Sequence, residues 1–513
     1  MTTLKRELRG VADLISIDRR ASKPLYQQIY ESFRSRVLRC ELRAGELVPS
    51  SRSLARDLRI SRLPVLNAYA QLLAEGYFES KVGAGTFIAT SLPGRQNPAR
   101  AAGPSSARRT ERRISTHAAA LPEYERPSWA ESLGPFQVGQ PELDKFPIDI
   151  WLKLTARYSR RMRLKGLQYG DPMGLQDLRE GIAAYVRRSR GVRCEARQIM
   201  VVSGSQQALD LTTRVLLDAG TPAWVEEPGY WLVHNVLRAA GCRAVPVPVD
   251  EQGLNVAAGI QLSRNARAAF VAPSHQYPLG VTMSAARRLQ LLEWAERAGA
   301  WIVEDDYDSE YRYDSMPVAS LQGLDENDRV IYIGTFSKVM FPSLRLGYLI
   351  IPPDLVNRFA AVRQTMDLCP PHITQAIMVD FLREGHFARH IRRMRPTYAE
   401  RRRVLIDELR RELGDSIRLM GADAGMHVAI LLNARQDDGK IAAAAAQQSL
   451  WLSALSALYV GSAPRQGLVL GFGNTKSAQI PAAVRHLKML VQRGARSTVF
   501  ARQQSQLAHA KSL

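Results

Sequence analysis

A chain of 513 residues is too long for one hydrophobic core and, at roughly 150 residues per domain, predicts two to four domains. Its composition, 46% hydrophobic and 23% charged, is that of a folded soluble protein and excludes wholesale disorder. The net charge of +21 favours an anionic partner such as nucleic acid over a uniformly basic surface, because residues 1–113 alone carry +11, from 21 Lys and Arg against 10 Asp and Glu.

The cysteines and the apolar runs indicate a compartment. Four cysteines lie far apart without paired spacing, which argues against a disulfide framework or a zinc site and for a reducing environment: Cys40, Cys194, Cys242 and Cys369. No uncharged apolar run reaches about 18 residues, and the N-terminus MTTLKRELRG is charged where a signal peptide would turn hydrophobic. We therefore expect a cytoplasmic protein with no metal and no membrane contact.

The first elements in the chain predict a winged helix-turn-helix. From Pro24, PLYQQIYESFRSRVL places apolar residues at four-residue steps on one helical face: Leu25, Ile29, Phe33 and Val37. SRSLARDL then reads as a short helix, RIS as a tight turn, and RLPVLNAYAQLLAEGY as a longer helix with Ser61 as its N-cap. YFESKVGAGTFIA alternates apolar and polar residues around two glycines, which is typical of a β-hairpin.

Residues 48–89, VPSSRSLARDLRISRLPVLNAYAQLLAEGYFESKVGAGTFIA, resemble the DNA-binding domain of GntR-type regulators. The resemblance implies a winged helix-turn-helix over residues 20–90, with its second helix in the major groove and its wing on the DNA backbone. The residues it implies for contact with double-stranded operator DNA are Arg52, Ser61, Arg62, Lys81 and Gly83. The alternative for the two arginines is a solvated helical surface. Pro64 departs from the pattern, since relatives carry a small polar residue there.

A linker is predicted next, over residues 91–128. Pro, Gly, Ser, Ala and Arg dominate PGRQNPARAAGPSSARRTERR, which shows no apolar periodicity. We expect a flexible, basic tether of about 30 Å root-mean-square span. A large domain follows over residues 129–492, and residues 493–513 are expected to form a mobile tail.

Helical and strand patterns alternate through the large domain, which predicts an α/β fold with a mostly parallel sheet and a ligand at the carboxyl ends of its strands. Polar groups after three of the strands form four motifs: a phosphate cup, a ring-nitrogen partner, a phenol partner and an amine. Gly204, Ser205 and Gln206 open a helix and suit a phosphate. Asp305 and Tyr307 follow WIVE, where a carboxylate pairs with a ring nitrogen and a phenol with a phenolic oxygen.

The fourth motif contains a lysine after a buried strand, in GTFSKVMFPSLRLGY. A lysine there is costly unless it is paired or used, and Arg345, seven residues after Lys338, can reach a phosphate. The four motifs together supply a phosphate cup, partners for a ring nitrogen and a phenol, and an amine. One small molecule needs all of them: pyridoxal 5′-phosphate (PLP), held by a Schiff base.

Residues from about 130 to 490 resemble a fold-type I aminotransferase, and the whole order resembles the MocR-type regulators, a GntR subgroup. The motifs that carry this resemblance are YGDPMGLQDLREGIAAY, SGSQQALDL, EEPGY, APSHQYPLGVTMS, EDDYDSEYRY and GTFSKVMFPSLRLGY. It implies an α+β winged helix-turn-helix domain joined to an α/β fold-type I PLP-dependent aminotransferase-like domain. Lys338 would then form the Schiff base.

The resemblance implies further roles around the cofactor. Asp305 would pair with the pyridine nitrogen and Tyr307 with the phenolic oxygen, while the phosphate would be held by Ser205, Gln206, Thr335 and Arg345. Tyr230 would stack on the ring, and Tyr169 would reach across from a second subunit, which implies a homodimer. Tyr277 lies where aminotransferases place an asparagine. His275 in the same loop either supports the site or is a satisfied loop histidine, with equal weight.

Two function classes remain. Aminotransferases fix the substrate carboxylate with an arginine near the C-terminus, but the matching strand GLVLGFG, residues 467–473, is apolar, although Arg465 lies just before it. This favours a transcriptional regulator that senses an amine, an amino acid or PLP, and whose two arms read half-sites about 10 bp or multiples apart. The alternative is an active aminotransferase that carries a DNA-binding arm.

Overall fold

The computed structural model describes residues 15–39, 41–90, 113–126, 132–162, 164–313, 318–461 and 464–493. Its contacts divide the chain into two compact units, Met1–Arg113 and Ile114–Leu513. Cys40, the predicted tail apart from its first residue, and residues 91–112 of the predicted linker lie outside the described residues. No helix in the described ranges combines the length and the apolarity that a bilayer crossing requires.

The first unit is a winged helix-turn-helix, as predicted. Its helices and strands are α1 (Leu25–Leu38), α2 (Ser51–Asp57), α3 (Arg62–Ala74), β1 (Phe78–Lys81) and β2 (Gly85–Ile88). The two strands pair antiparallel, and an isolated bridge from Leu47 to Phe87 extends the wing. Ser61 occupies the N-cap of α3 as predicted, although its side chain makes no capping bond. At the start of α2, the Ser50 side chain accepts from the Ser53 backbone N–H.

Aromatic side chains fill the core of this unit. The buried rings of Phe33, Tyr69 and Phe78 meet edge to face, with centroids 5.2 to 5.7 Å apart. They come from α1, α3 and β1, so each of these elements contributes one ring to a shared contact. Such pairs add to the stabilisation that burial alone provides, and they connect the helices to the wing.

The second unit is an α/β domain followed by a smaller antiparallel sheet. Its helices are α4 (Thr116–Ala119), α5 (Ile148–Arg161), α6 (Gln176–Arg190), α7 (Ser205–Leu216), α8 (Trp231–Ala239), α9 (Val256–Leu262), α10 (Ala285–Ala298), α11 (Leu321–Leu324), α12 (Val356–Asp367), α13 (His372–Arg383), α14 (His386–Leu413), α15 (Asp438–Ala446) and α16 (residues 480–493). Its strands are β3 (Ile199–Val202), β4 (Pro222–Glu227), β5 (Arg243–Asp250), β6 (Gly253–Leu254), β7 (Ala268–Val271), β8 (Trp301–Asp306), β9 (Val330–Thr335), β10 (Gly347–Ile350), β11 (Arg418–Met420), β12 (His427–Leu431), β13 (Ser453–Ala454) and β14 (Gly467–Gly471).

The central sheet has the order β3-β10-β9-β8-β7-β4-β5-β6. Strands β5, β4, β7, β8 and β9 are parallel neighbours, which confirms the predicted mostly parallel sheet. Strand β10 runs antiparallel to both β9 and β3. The reason is local, because residues 336–346 between β9 and β10 hold only a short 3-10 helix, and a parallel return needs a longer crossover.

Residues 114–126, which the sequence assigned to a flexible linker, belong to the second unit and contain helix α4. The Ala120 carbonyl accepts from Arg238 on α8 at 3.5 Å, and the imidazole of His117 lies close to Gly241. The structure thus assigns this part of the predicted linker to the second unit, and its flexibility stays a prediction. Four helical residues are too few to give a periodic signal, so the sequence pattern does not reveal this helix.

Candidate cofactor site and DNA-binding surface

A cavity of about 1810 Å³ opens at the carboxyl ends of the parallel strands, where the sequence predicted a ligand. Nine of the predicted residues line it: Ser205, Gln206, Tyr230, Tyr277, Asp305, Tyr307, Thr335, Lys338 and Arg345. Gly204 lies beside them at the start of α7. Tyr169 does not join them, since it is 86% exposed and does not line the cavity. Its predicted role requires a second subunit.

The phosphate cup is built on the start of α7. Gly204 occupies the N-cap with φ +85°, and a Cβ at that position would lie 3.3 Å from the guanidinium of Arg345. Arg345 donates to the Ser203 carbonyl at 2.8 Å, which holds the guanidinium over the cup. Gln206 Oε1 is buried and finds no partner among the described residues. Free helical N–H groups, the helix dipole and a guanidinium therefore converge on one small space that suits a dianion.

Asp305 and Tyr307 follow β8 and face the same cavity. Within the described ranges, Asp305 Oδ1 is buried without a hydrogen-bond partner. Burial raises the pKa of Asp305 to about 7, and the neighbouring carboxylate of Asp306 adds to the shift. Burial also raises the pKa of Tyr307 well above its usual value, so its phenol keeps the proton and is able to donate it. The cavity therefore contains a carboxyl oxygen, Asp305 Oδ1, that is free to accept a hydrogen bond from a ligand, and a phenol that is able to donate one.

Lys338 lies in the loop between β9 and β10, and its side chain is enclosed. Its Nζ donates to the Gly139 carbonyl at 3.0 Å. Burial lowers the pKa of Lys338, while the carboxylates of Asp308 and Asp305 act in the opposite direction. A lowered pKa increases the neutral, nucleophilic fraction of the amine, which reaction with a carbonyl requires. Ser337 Oγ beside it is another buried atom that no described residue contacts through a hydrogen bond.

Two buried histidines and an aspartate stand behind the lysine. His275 Nδ1 lies 3.0 Å from Asp308 Oδ1 and 3.3 Å from the Tyr307 hydroxyl, so this histidine supports the predicted phenol partner. His427, on β12, approaches His275 with ring centroids 4.5 Å apart. In the described part of the chain, ligand atoms of His275, Asp308 and His427 lie within 4.8 Å of one another. Internal hydrogen bonds occupy several of these atoms, and the prediction of no metal stays a prediction.

The predicted DNA-contacting residues are all exposed on the first unit. Arg62 Nε donates to Ser51 Oγ at 3.0 Å, so the N-termini of α2 and α3 meet. Lys81 lies in the wing with its ammonium 5.2 Å from the Phe87 ring centroid. Gly83, with φ +76°, forms the tip between β1 and β2. Exposed cations at helix N-termini and in a wing are the groups that contact phosphates in this architecture.

Two family models match the chain. The gntR family of bacterial regulatory proteins matches residues 25–88, and aminotransferase class I and II matches residues 135–487. The probable rhizopine catabolism regulatory protein MocR of Rhizobium meliloti is 40% identical over 90% of this chain and 92% of its own length. The chain is a MocR-type regulator of the GntR family.

Other relatives and structures agree with this family. The pyridoxine biosynthesis transcriptional regulator PdxR of Corynebacterium glutamicum is 33% identical over 90% of this chain and 95% of its own. Among solved structures, a kynurenine aminotransferase of Pyrococcus horikoshii has 26% identity and a TM-score of 0.68, covering 74% of this chain and 97% of that one. The resemblance stated from the motifs is therefore confirmed for both domains.

Sequence reasoning missed several cavity residues of this MocR-type regulator. Glu226, at the end of β4, is buried, and its Oε2 accepts from Gln276 at 3.3 Å. Burial raises the pKa of Glu226 to about 8, which keeps it protonated at neutral pH. His427 and Asp308 also line the cavity. Glu226 and Asp308 stand inside motifs that carry the resemblance, but nothing in their spacing marks a role, whereas His427 has no local signal.

Arg465 does not supply a substitute carboxylate clamp. It is exposed, and its Nε donates to the Tyr459 hydroxyl at 2.8 Å. The strand that would carry the clamp, β14, is buried along its whole length. Lys338 and Arg345 are the Lys and Arg side chains that line the cavity within the described ranges.

Proposed function

We propose that this MocR-type regulator holds PLP at Lys338 and that an amine, an amino acid or PLP itself changes its affinity for DNA through this site. The observation that carries the proposal is an enclosed lysine, in the loop after β9, beside a carboxyl on the neighbouring parallel strand β8, Asp305, whose buried Oδ1 has no hydrogen-bond partner among the described residues. Burying an amine and a carboxyl in one enclosed space is costly. The amine fits the aldehyde of PLP, and the carboxyl fits its ring nitrogen.

The residues present fit the cofactor, and each has a defined task. The α7 N-terminus with Ser205 and Arg345 binds the phosphate, and Asp305 accepts a hydrogen bond from the ring nitrogen. Tyr307 donates to the phenolic oxygen while Tyr230 covers the ring. When bound, PLP supplies an aldehyde that reacts reversibly with amines, including that of Lys338. Tyr169 of a second subunit, in the proposed homodimer, completes the enclosure.

Sensing is favoured over turnover by the same cavity. Fast transamination needs a substrate held in one orientation, and a bidentate guanidinium is the usual means of fixing its carboxylate. The described part of the chain offers none beyond Arg345, which the phosphate requires. A ligand that binds the two arrangements of a regulator with different affinity needs no such alignment. Residual transamination is compatible with this site, but catalysis is not its proposed role.

Binding to double-stranded DNA is assigned to the first unit. Its exposed cations at the helix starts and in the wing would contact the operator, and a homodimer would place two such units on two half-sites. MocR and PdxR are named for rhizopine catabolism and for pyridoxine biosynthesis, and both names refer to the metabolism of a small molecule. A regulator of this kind acts in the cytoplasm, where its DNA and its metabolite are both present.

Lys338→Ala tests the proposal. The full-length protein is loaded with PLP, and its visible absorption is recorded before and after borohydride, with Lys440→Ala as a control at an exposed lysine. DNA fragments selected from the genome by the wild-type protein then report affinity in the presence of an amine panel. The wild type and the control should be coloured, and reduction should fix the cofactor to the protein. The alanine variant should lose this band and the amine response, and unchanged colour and response would refute the proposal. Steady formation of a keto acid would favour the enzyme instead.

A further inference from the structure

Apart from Arg345 at the phosphate cup, the described lining of the cavity carries no guanidinium for a carboxylate ligand. Strand β14 places Val469 in the interior, packed in one cluster with Leu279, Val281 and Leu455. An arginine cannot extend from this position without breaking that cluster. Since Arg345 is held at the cup, the described residues leave no guanidinium for a ligand's carboxylate.

The cavity lining instead carries hydrogen-bond acceptors. Asp308 lines the cavity, and its carboxylate is held by His275 Nδ1 at 3.0 Å and by the Met426 backbone N–H at 3.2 Å. These two contacts leave lone pairs on a carboxylate that accepts about four hydrogen bonds. Asp308 also acts on the charge of Lys338, so it lies near the amine end of the site. A carboxylate ligand placed here would meet a like charge, whereas an N–H or O–H donor would be satisfied.

His427 presents a second acceptor. Its Nε2 lies 3.2 Å from the Pro278 carbonyl, which only accepts, so Nε2 must carry the proton. Burial lowers the pKa of His427 to about 3, and the imidazole is therefore neutral. In that tautomer Nδ1 has a free lone pair, and His427 lines the same cavity as Asp308. The two side chains thus form a paired acceptor surface next to the lysine.

We propose that the effector is a primary amine without a carboxylate, and that its hydroxyl or second amine group donates hydrogen bonds to Asp308 and His427. This inference rests on the proposed function, since the effector's primary amine would bond to the aldehyde carbon of the cofactor in place of the Lys338 amine, which would leave as the free amine. The cavity of about 1810 Å³ is larger than the roughly 300–1,000 Å³ of an ordinary small-molecule pocket. Amino alcohols and diamines share this chemistry, and amino acids do not.

Matched probes test the proposal on the full-length, PLP-loaded protein. The probes are 2-amino-1,3-propanediol against serine, 4-amino-1-butanol against 4-aminobutyrate, and 1,4-diaminobutane, with propylamine as an amine that lacks a second donor. Shifts in visible absorption and in the midpoint of thermal unfolding give each affinity. We expect the carboxylate-free member of each pair to bind about tenfold tighter or more, because a satisfied charged acceptor replaces like-charge repulsion.

His427→Leu and His427→Gln separate recognition from folding. The leucine variant should weaken 2-amino-1,3-propanediol about tenfold while leaving propylamine within about twofold, and the glutamine variant, which retains a donor for the Pro278 carbonyl and an acceptor, should recover most of the affinity. Equal weakening of both amines by His427→Leu would overturn the proposal. So would tighter binding of the amino acids, since a cation from outside the described chain would then hold their carboxylate. A wild type that never becomes coloured with PLP would remove the proposed function and this inference with it, an outcome that a reversed preference in coloured protein does not resemble.

Discussion

Replacing Asp305 with asparagine tests how the cavity would hold PLP. Burial raises the pKa of this carboxyl to about 7, and Oδ1 has no partner in the described part of the chain. A protonated ring nitrogen requires the ionised form, since a hydrogen bond to a charged group contributes about 1.5–3 kcal/mol. Asparagine supplies only a neutral acceptor. We expect Asp305→Asn to lower PLP affinity about 10- to 100-fold near neutral pH.

The pH dependence of PLP affinity gives the sharper measurement. With a pKa of about 7, the ionised fraction of Asp305 falls from about 90% at about pH 8 to about 10% at about pH 6, which costs the wild type about tenfold in affinity. The asparagine variant lacks this group, so any dependence it retains belongs to the cofactor phosphate and is subtracted. Titration of the visible absorption measures both proteins. Asp210→Asn, a charge change at the cavity rim, serves as the control.

Two results would refute this reasoning about Asp305. One is a variant that binds PLP as tightly as the wild type across the whole range of pH. The other is an identical pH profile for wild type and Asp305→Asn at different absolute affinities, because the titrating group would then lie elsewhere. In either case the carboxyl would be a feature of the fold and not the partner of the ring nitrogen.

Of three further predictions, two concern the DNA-binding unit and one concerns the large unit. Phe33→Ala should destabilise the DNA-binding unit by about 3–5 kcal/mol in calorimetry without changing the cofactor band, whereas Leu38→Ala, 58% exposed, should cost less than about 0.5 kcal/mol. Arg62→Ala should weaken binding to selected DNA and reduce the salt slope by about 1, and Arg197→Ala in the large unit should do neither. The cofactor-free protein should lose stability as pH rises from about 5 towards 8, by up to about 1.4 kcal/mol per pH unit for Glu226, because its folded pKa of about 8 exceeds the unfolded value and the unfolded chain releases the proton first. Glu226→Gln should flatten this profile in denaturant titrations, and an unchanged slope would show that Glu226 is not the group responsible.

Local patterns in the sequence were sufficient for most of the helices and strands and for the place of the candidate cavity at the sheet. The four-residue spacing of apolar side chains in α1 predicted a buried face, and Ile29, Phe33 and Val37 are buried in the structure. The phosphate cup and the lysine followed from one rule, that ligands bind at the carboxyl ends of parallel strands. Gly204 follows β3 and Lys338 follows β9, so the formation of the sheet is sufficient to bring both residues to the same edge.

Other features of the fold and of the candidate site depend on contacts between segments that are far apart in the chain. His427 reaches the site because β12, in the smaller sheet, lies beside the loop after β7, and these segments are far apart in the chain. The reversal of β10 follows from the length of one connection, which only the sheet order makes meaningful. Helix α4 is capped locally by the Ser115 side chain, but its four residues are too few for a periodic pattern, and it also contacts α8. The place of His427 and the reversal of β10 are thus properties of tertiary packing.

The acceptors that line the cavity suit a switch. To move a regulator from about one part in ten in the DNA-binding arrangement to about nine in ten requires roughly 80-fold differential affinity, or about 2.6 kcal/mol. Two hydrogen bonds present in one arrangement only, each contributing about 0.5–1.5 kcal/mol and more where one partner is charged, are sufficient for that difference. Asp308 and His427 provide two such acceptors on separate elements, the loop after β8 and strand β12 of the smaller sheet. The Met426 backbone N–H already joins Asp308 to the segment that holds His427, so a ligand that bridges the two acceptors would strengthen an existing contact, and its differential affinity alone would set the size of the response.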